Sequence, residues 1–324
     1  MRIDCHLHVV GNGTGGTGCW YRPRGVTRLG APMMVRGVGL PRSALTGDLD
    51  RLYVEQMLRF IRESSLDAAV ILAQDEAYRA DGTKIEDSGS FYVPNDYVLG
   101  LARKHPEFLA AVSIHPARRD ASEELEKALA GGAVMLKCLP NCQAIDWNDR
   151  RYTRFLERMA ETGLILLAHT GSERTLPVLD RALADPRVLT RALEIGVTCI
   201  AAHCGTGLML LDPDYFDVFV AMTKKFPRLH GDNSALAACN FRARPGAIRR
   251  LATDPELQSR ILYGSDVPVP VTAILAWAFG IVSWRQWRET AAIANPIERD
   301  VQIKRAMGFA DGTFTRLAGL LRKR

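Results

Sequence analysis

Paired thiolates of the kind that bind structural zinc are missing from this sequence. Its seven cysteines are an odd number, and the nearest pairs, Cys138-x3-Cys142 and Cys199-x4-Cys204, miss the C-x2-C spacing such sites use. Buried structural thiols in a reducing compartment are expected instead. A leader is missing too: the residues after Met1 enter a strand-like stretch with no basic and then apolar segment, which points to a cytoplasmic protein. Charge of one sign is not concentrated anywhere except in Arg322-Lys-Arg324. The net charge of +6 is otherwise spread among interspersed Asp and Glu, so no nucleic-acid partner is expected. We read the surplus as a solvated surface that helps to attract an anionic small-molecule substrate. Long hydrophobic runs are nearly absent. The one uncharged run of spanning length, 267–284 (VPVPVTAILAWAFGIVSW), carries prolines at 268 and 270 and follows Asp266. It reads as a loop feeding a buried helix, and no membrane association is expected.

What is present is an ordinary globular composition, 47% hydrophobic and 24% charged, on a chain long enough for two domains or one α/β barrel. No Gly/Ser/Pro-rich linker or fixed-period repeat divides it, so a single domain over 1–324 is expected. Apolar, often β-branched runs at 1–7, 67–73, 108–114, 133–138, 164–168, 197–202, 228–231 and 260–263 read as eight strands. Between them, helical spacing covers 52–64, 96–104, 122–130, 149–162, 175–195 with a break at Asp185-Pro186, 215–225 and 247–257. Near-continuous apolar strands imply burial on both faces, and eight of them alternating with helices predict a (β/α)8 TIM barrel. An open doubly wound sheet is the structural alternative. Two connections, 9–48 and 74–95, are far longer than βα loops usually are. Both follow strands, so in a barrel both lie over the mouth as candidate lids. The segment GNGTGGTG (11–18) looks superficially like a phosphate loop but lacks the Lys-Ser/Thr ending and opens no helix. The tail 296–324 reads as two helices joined near Gly308–Gly312, packing on the barrel's outside.

The chain begins MRIDCHLHVV. In an extended strand Asp4, His6 and His8 share one face and Ile3, Cys5 and Leu7 the other, so two imidazoles stand side by side. An isolated H-x-H is weak, but the other histidines strengthen it. His115, His169, His203 and His230 fall at the ends of strands three, five, six and seven, and only His105 lies elsewhere. In a barrel these ends converge on one face. Asp266 ends strand eight, Lys137 strand four and Asp232 strand seven. Imidazoles with a hard carboxylate suit zinc first, with manganese or iron as alternatives, and three or four protein ligands with an open position describe a catalytic site. His115 reads equally as a substrate contact or a hydrogen-bonded strand end, and His230 and Asp232 as supporting groups. Arg22, Arg24 and Arg36 in the first long loop could clamp an anion but usually such residues face water, while Trp20 and Tyr21 could close over a ring.

These motifs in this order resemble the amidohydrolase superfamily, specifically its amidohydrolase-2 branch, which holds metal-dependent hydrolases beside relatives of aminocarboxymuconate-semialdehyde decarboxylase. The resemblance rests on Asp4-Cys-His-Leu-His8, Val-Met-Leu-Lys-Cys-Leu-Pro140 with Gln143 and Asp146, Leu-Ala-His-Thr-Gly171, Ala-Ala-His-Cys-Gly205 and Tyr-Gly-Ser-Asp266. It implies that His6, His8, His169 and Asp266 bind a divalent metal. It also implies that His203 is either a second-metal ligand or a general acid/base, and that Asp266 takes a proton from water. Lys137 corresponds to a lysine that is carboxylated and bridges two metals in dinuclear members. One ion with an unmodified Lys137 anchoring a substrate carboxylate is favoured, and two ions are implied if Lys137 is carboxylated. The implied activity is hydrolysis of a C–O or C–N bond (lactone, ester or amide) in a small, carboxylated molecule. Non-oxidative decarboxylation of an aromatic or dienoic acid is the alternative, and a non-catalytic barrel the third reading. Family members often pair through outer surfaces, which implies a homodimer through the tail or the apolar 277–287 region.

Overall fold

A computed structural model describes residues 1–23, 26–173, 175–207, 212–238 and 245–322. Eight parallel strands lie in sequence order around one sheet: β1 (Ile3–His8), β2 (Ala68–Leu72), β3 (Phe108–Val112), β4 (Met135–Cys138), β5 (Ile165–His169), β6 (Cys199–Ala202), β7 (Leu229–Asp232) and β8 (Ile261–Leu262). The first and last strands close on one another. Cys5 N donates to Tyr263 O at 2.9 Å, Asp266 N to His6 O at 2.9 Å and His8 N to Val267 O at 3.0 Å. Closure gives a (β/α)8 TIM barrel, as the alternation of elements predicts, and excludes the open sheet.

The strands are hydrophobic on both faces because each face meets apolar partners. Val70, Leu72, Ala111, Met135, Leu167 and Ile200 point into the barrel and form one cluster. The intervening residues, such as Ile71, Val112 and Leu166, pack outward against the helices. Those helices are α1 (Val26–Gly37), α2 (Leu49–Arg62), α3 (Asn95–Lys104), α4 (Ala121–Ala130), α5 (Thr153–Thr162), α6 (Thr190–Ile195), α7 (Phe216–Lys225), α8 (Pro245–Thr253), α9 (Trp284–Ala291), α10 (Pro296–Met307) and α11 (Asp311–Leu321). No helix among the described residues is long and apolar enough to cross a membrane. Six of the cysteines, at 5, 19, 138, 142, 199 and 204, are buried free thiols, and Cys239 lies outside the described residues.

Four expectations are corrected. First, β1 does not alternate strictly. Its register against β2 slips between Asp4 and Leu7, a β-bulge that leaves Ile3 and Cys5 inside the barrel and Leu7 outside it. Asp4 therefore does not share a face with His6 and His8. Second, 175–195 is not one interrupted helix. Only 3-10 turns at Arg181–Ala184 and Pro186–Leu189 and the short α6 form. The Glu173 carboxylate accepts from the Thr175 and Leu176 amides, and Pro177 offers no amide to a helical ladder. Third, the 9–48 connection holds helix α1, whose Ala31 and Val35, with Val38 just past its end, are buried at helical spacing. Fourth, the tail does not lie wholly outside the barrel: Leu317 and Ala318 of α11 join the interior cluster with Ile3 and Cys5, covering the end opposite the histidines.

The glycine-rich segment does cradle an anion, an internal one. Asn12 N and Gly13 N donate to the Asp50 carboxylate at 2.7 and 3.2 Å, and Thr17 Oγ1 adds a third bond. Gly13, at φ +88° and with no room for a Cβ beside Cys19 O, is where the turn requires glycine. The two long loops are tied together by an antiparallel ribbon of Trp20–Tyr21 with Phe91–Tyr92, which brings both over the mouth.

Candidate metal centre

The centre begins with β1, whose bulge turns His6 and His8 toward the mouth. His6 is fully buried, and its Nδ1 donates to Asp232 Oδ2 at 2.8 Å. That bond fixes the tautomer and leaves Nε2 as the donor atom facing the pocket. Asp232 in turn accepts from His203 N at 2.9 Å, Ser234 N at 3.1 Å and Ser234 Oγ. Burial alone would raise its carboxyl, yet His6, with His203 adding, holds it far below the usual carboxylate range. Burial, reinforced by the Lys137 charge, brings His6 down to about 4. At neutral pH it is therefore the uncharged imidazole that a metal ligand must be.

Around His6 Nε2 the other donors gather. His8 Nε2 lies 3.3 Å away, and Asp266 Oδ1 lies 3.3 Å from the Nε2 of both His6 and His8. A tetrahedral shell with metal–ligand bonds of about 2.0–2.1 Å has edges of about 3.3–3.4 Å. The three atoms are thus spaced as one face of such a shell, and the site fits a small divalent cation. His203 belongs to the same cluster: with His6 and Asp266 it contributes donors within 4.8 Å of one another. Its Nδ1 lies 2.8 Å from Ser234 Oγ and 3.2 Å from Ser234 O. Both His203 and Asp266 sit in left-handed backbone, at φ 61° and 64°. Such strain costs on the order of 1–3 kcal/mol each and gathers at functional sites.

Lys137 projects inward from β4, fully buried, and its Nζ donates to His6 Nε2 at 3.1 Å. Burial lowers its pKa. His169 ends β5 in the same pocket with its ring 4.9 Å from that of His203. Its Nε2 lies 3.2 Å from Ser172 O and 3.8 Å from the Glu173 carboxylate. It therefore stands beside the donor triangle, while His6, His8, Asp266, His203 and Lys137 cluster directly.

The remaining candidates separate cleanly. His115 lies outside the pocket and holds a strand end: Nε2 donates to Gln143 O at 2.9 Å and Nδ1 accepts from Ala117 N at 3.1 Å. His230, buried on β7, does not line the pocket. Gln143 ties Leu139 N to Asp75 O. Asp4, pushed up to about 6 by burial, accepts from His6 N and Ser265 N and so pins β1 to the segment after β8. Arg22 lies over Trp20, which stacks on Tyr92. Arg36 is exposed on α1, and neither it nor Arg22 lines the pocket. Arg24 lies outside the described residues. Tyr21 does line it, as do three residues that sequence reasoning missed, Glu173, Tyr53 and Phe91. The His169-x3-Glu173 spacing was the available clue to Glu173. Tyr53 donates to His8 O at 2.9 Å, fixing the end of β1 from α2.

No curated protein matches the chain. Among solved structures it resembles an uncharacterized TIM-barrel protein from Bordetella bronchiseptica (17% identity, TM-score 0.61, 99% of each chain). It also resembles a candidate 2-pyrone-4,6-dicarboxylic acid hydrolase from Pseudomonas putida (14%, 0.56, 98% of this chain and 97% of that one). A third is 4-oxalomesaconate hydratase from Rhodopseudomonas palustris (14%, 0.50, 100% and 98%). At these identities the likeness concerns the fold. The family model described as amidohydrolase matches residues 3–281, so the chain belongs to the amidohydrolase-2 family.

Proposed function

We propose that the protein is a metal-dependent hydrolase that cleaves a C–O or C–N bond in a lactone, ester or amide. The observation that carries this reading is the Asp266 carboxylate, equidistant at 3.3 Å from the Nε2 atoms of His6 and His8. In the reading, His6, His8 and Asp266 hold one divalent ion, zinc first, with His169 completing the set. Such an ion supplies Lewis acidity to the substrate carbonyl and acidifies water. Asp266 takes the proton from the attacking water. His203, its Nδ1 engaged with Ser234, delivers a proton from Nε2 to the departing oxygen or nitrogen as the bond to carbon breaks. Asp232 keeps His6 oriented, and the strained backbone at positions 203 and 266 aims both proton carriers at the same space.

Decarboxylation of a small acid is the second reading, favoured by Lys137, a cation at the pocket floor suited to a carboxylate. Products separate the two, since only decarboxylation releases carbon dioxide. Elemental analysis of protein purified without chelators should find about one metal ion per chain, whereas about two would support a carboxylated Lys137. Asp266→Asn should lower turnover of a lactone, ester and amide panel by at least about 100-fold while keeping cooperative melting. Retained turnover would overturn the assignment.

A further inference from the structure

We infer that the substrate carries, beyond the bond that reacts, an uncharged hydrocarbon group, and that helix α1 and the turn after it are what select it. This deepens the hydrolytic reading and rests on its metal centre. Above the donor cluster the mouth opens into a cleft lined by both long loops and by the ends of the strands. Its floor is polar, with His6, His8, Lys137, His203 and Asp266, whereas its walls are mostly apolar, with Tyr21, Glu173 and Thr175 as polar exceptions. Met34 and Val35 of α1, Leu45, Leu49, Phe91 and Val269 make up much of the rest.

Charge points the same way. Among the described residues that line the cleft Lys137, at the floor, is the only lysine or arginine, and it stands with the carboxylates of Glu173 and Asp266. An anionic group set against the apolar wall would leave water for a surface whose described lining residues offer it no cation, which is costly. A hydrocarbon group gains there instead, about 0.8 kcal/mol for each methylene buried, or roughly fourfold in affinity. The origin of the wall also fits selection. Ala31, Met34 and Val35 face the cleft from one side of a helix inserted in the connection between β1 and α2.

Hydroxamic acids test this without turnover, because their head group chelates an active-site metal while the tail samples the cleft. Isothermal titration of the metal-loaded protein would compare acetohydroxamic acid, octanohydroxamic acid and the mono-hydroxamic acid of suberic acid, which has the octanoyl length but ends in a carboxylate. The octanoyl compound should bind at least about 100-fold tighter than the acetyl one, and the terminal carboxylate should cost at least 10-fold relative to the octanoyl compound (about 1.4 kcal/mol). Met34→Glu, and independently Leu45→Glu, should erase most of the gain from chain length. If the acetyl probe binds but length brings nothing, or if the carboxylate-ended probe binds as well as the octanoyl one, the apolar selection is wrong while the metal centre stands. If no hydroxamate binds, the metal centre falls and the inference with it.

Discussion

Asp232 shows how a residue that touches no substrate shapes the centre. Its carboxylate receives the His6 Nδ1 proton and two backbone amides, so the imidazole presents Nε2 at a set angle. Asp232→Asn keeps the shape but weakens the acceptor, and metal affinity measured by chelator competition should fall about 10- to 100-fold. His115 makes a different prediction. Burial holds its pKa at about 4 against an ordinary 6.5, because both ring nitrogens are satisfied only in the neutral form. Between pH 6.5 and 4 the unfolded chain is the one that binds the extra proton, so stability falls as pH falls through that window. The contribution lost is about 3 kcal/mol. Denaturant titrations at pH 7 and pH 4.5 should show a smaller acid loss in His115→Gln than in the parent.

At the scale of elements, the insert after β1 is anchored by Asp50, which sits in the first turn of α2 and binds two amides and a hydroxyl of the glycine-rich segment. Asp50→Ala should cost about 2–4 kcal/mol by denaturant melting and open residues 11–19 to limited proteolysis. The strands were legible in the sequence because burial on both faces leaves an apolar signature at each, and the ends of all eight came within two residues of the runs read from it. The eighth, β8, was read one residue longer at each end than the two-residue ladder observed. Helix α1 was not legible. Gly30 and Pro32 break its propensity, and its apolar face is set by a cleft that only the folded mouth creates. The segment after β5 misled in the opposite sense: its leucines and arginines carry helical spacing, but Glu173 and Pro177 direct the backbone into turns.

For the whole molecule, the barrel is finished from below. α11 lays Leu317 against the interior layer built by Ile3, Cys5 and their neighbours, so the tail is part of the core. Leu317→Ala should lower stability by about 2–4 kcal/mol in equilibrium unfolding, an effect larger than expected for a helix on an outer surface. The convergence of histidines at one end of the barrel was readable because strand ends are readable. The choice among them was not: in the sequence His115 and His230 fall at the ends of apolar runs as His169 and His203 do, and only three-dimensional packing separates them. The same holds for the substrate side: the sequence left open whether the first loop's arginines clamp an anion or face water, and in the structure neither Arg22 nor Arg36 lines the cleft, whose wall is built by side chains from α1, α2 and the second long loop.

The slip in β1 also bears on what length changes the chain can absorb. Cys5 is the supernumerary residue of the bulge, because it and His6 both turn inward where one position would serve. A chain lacking it would run Ile, Asp, His, Leu, His in strict alternation, with both imidazoles still pointing into the barrel and Asp4 still outside. In a uniformly paired strand, loss of one residue turns every later side chain to the other face. Here the donor pair is buffered against that deletion, and the motif can persist through a change of reading length that would abolish it elsewhere.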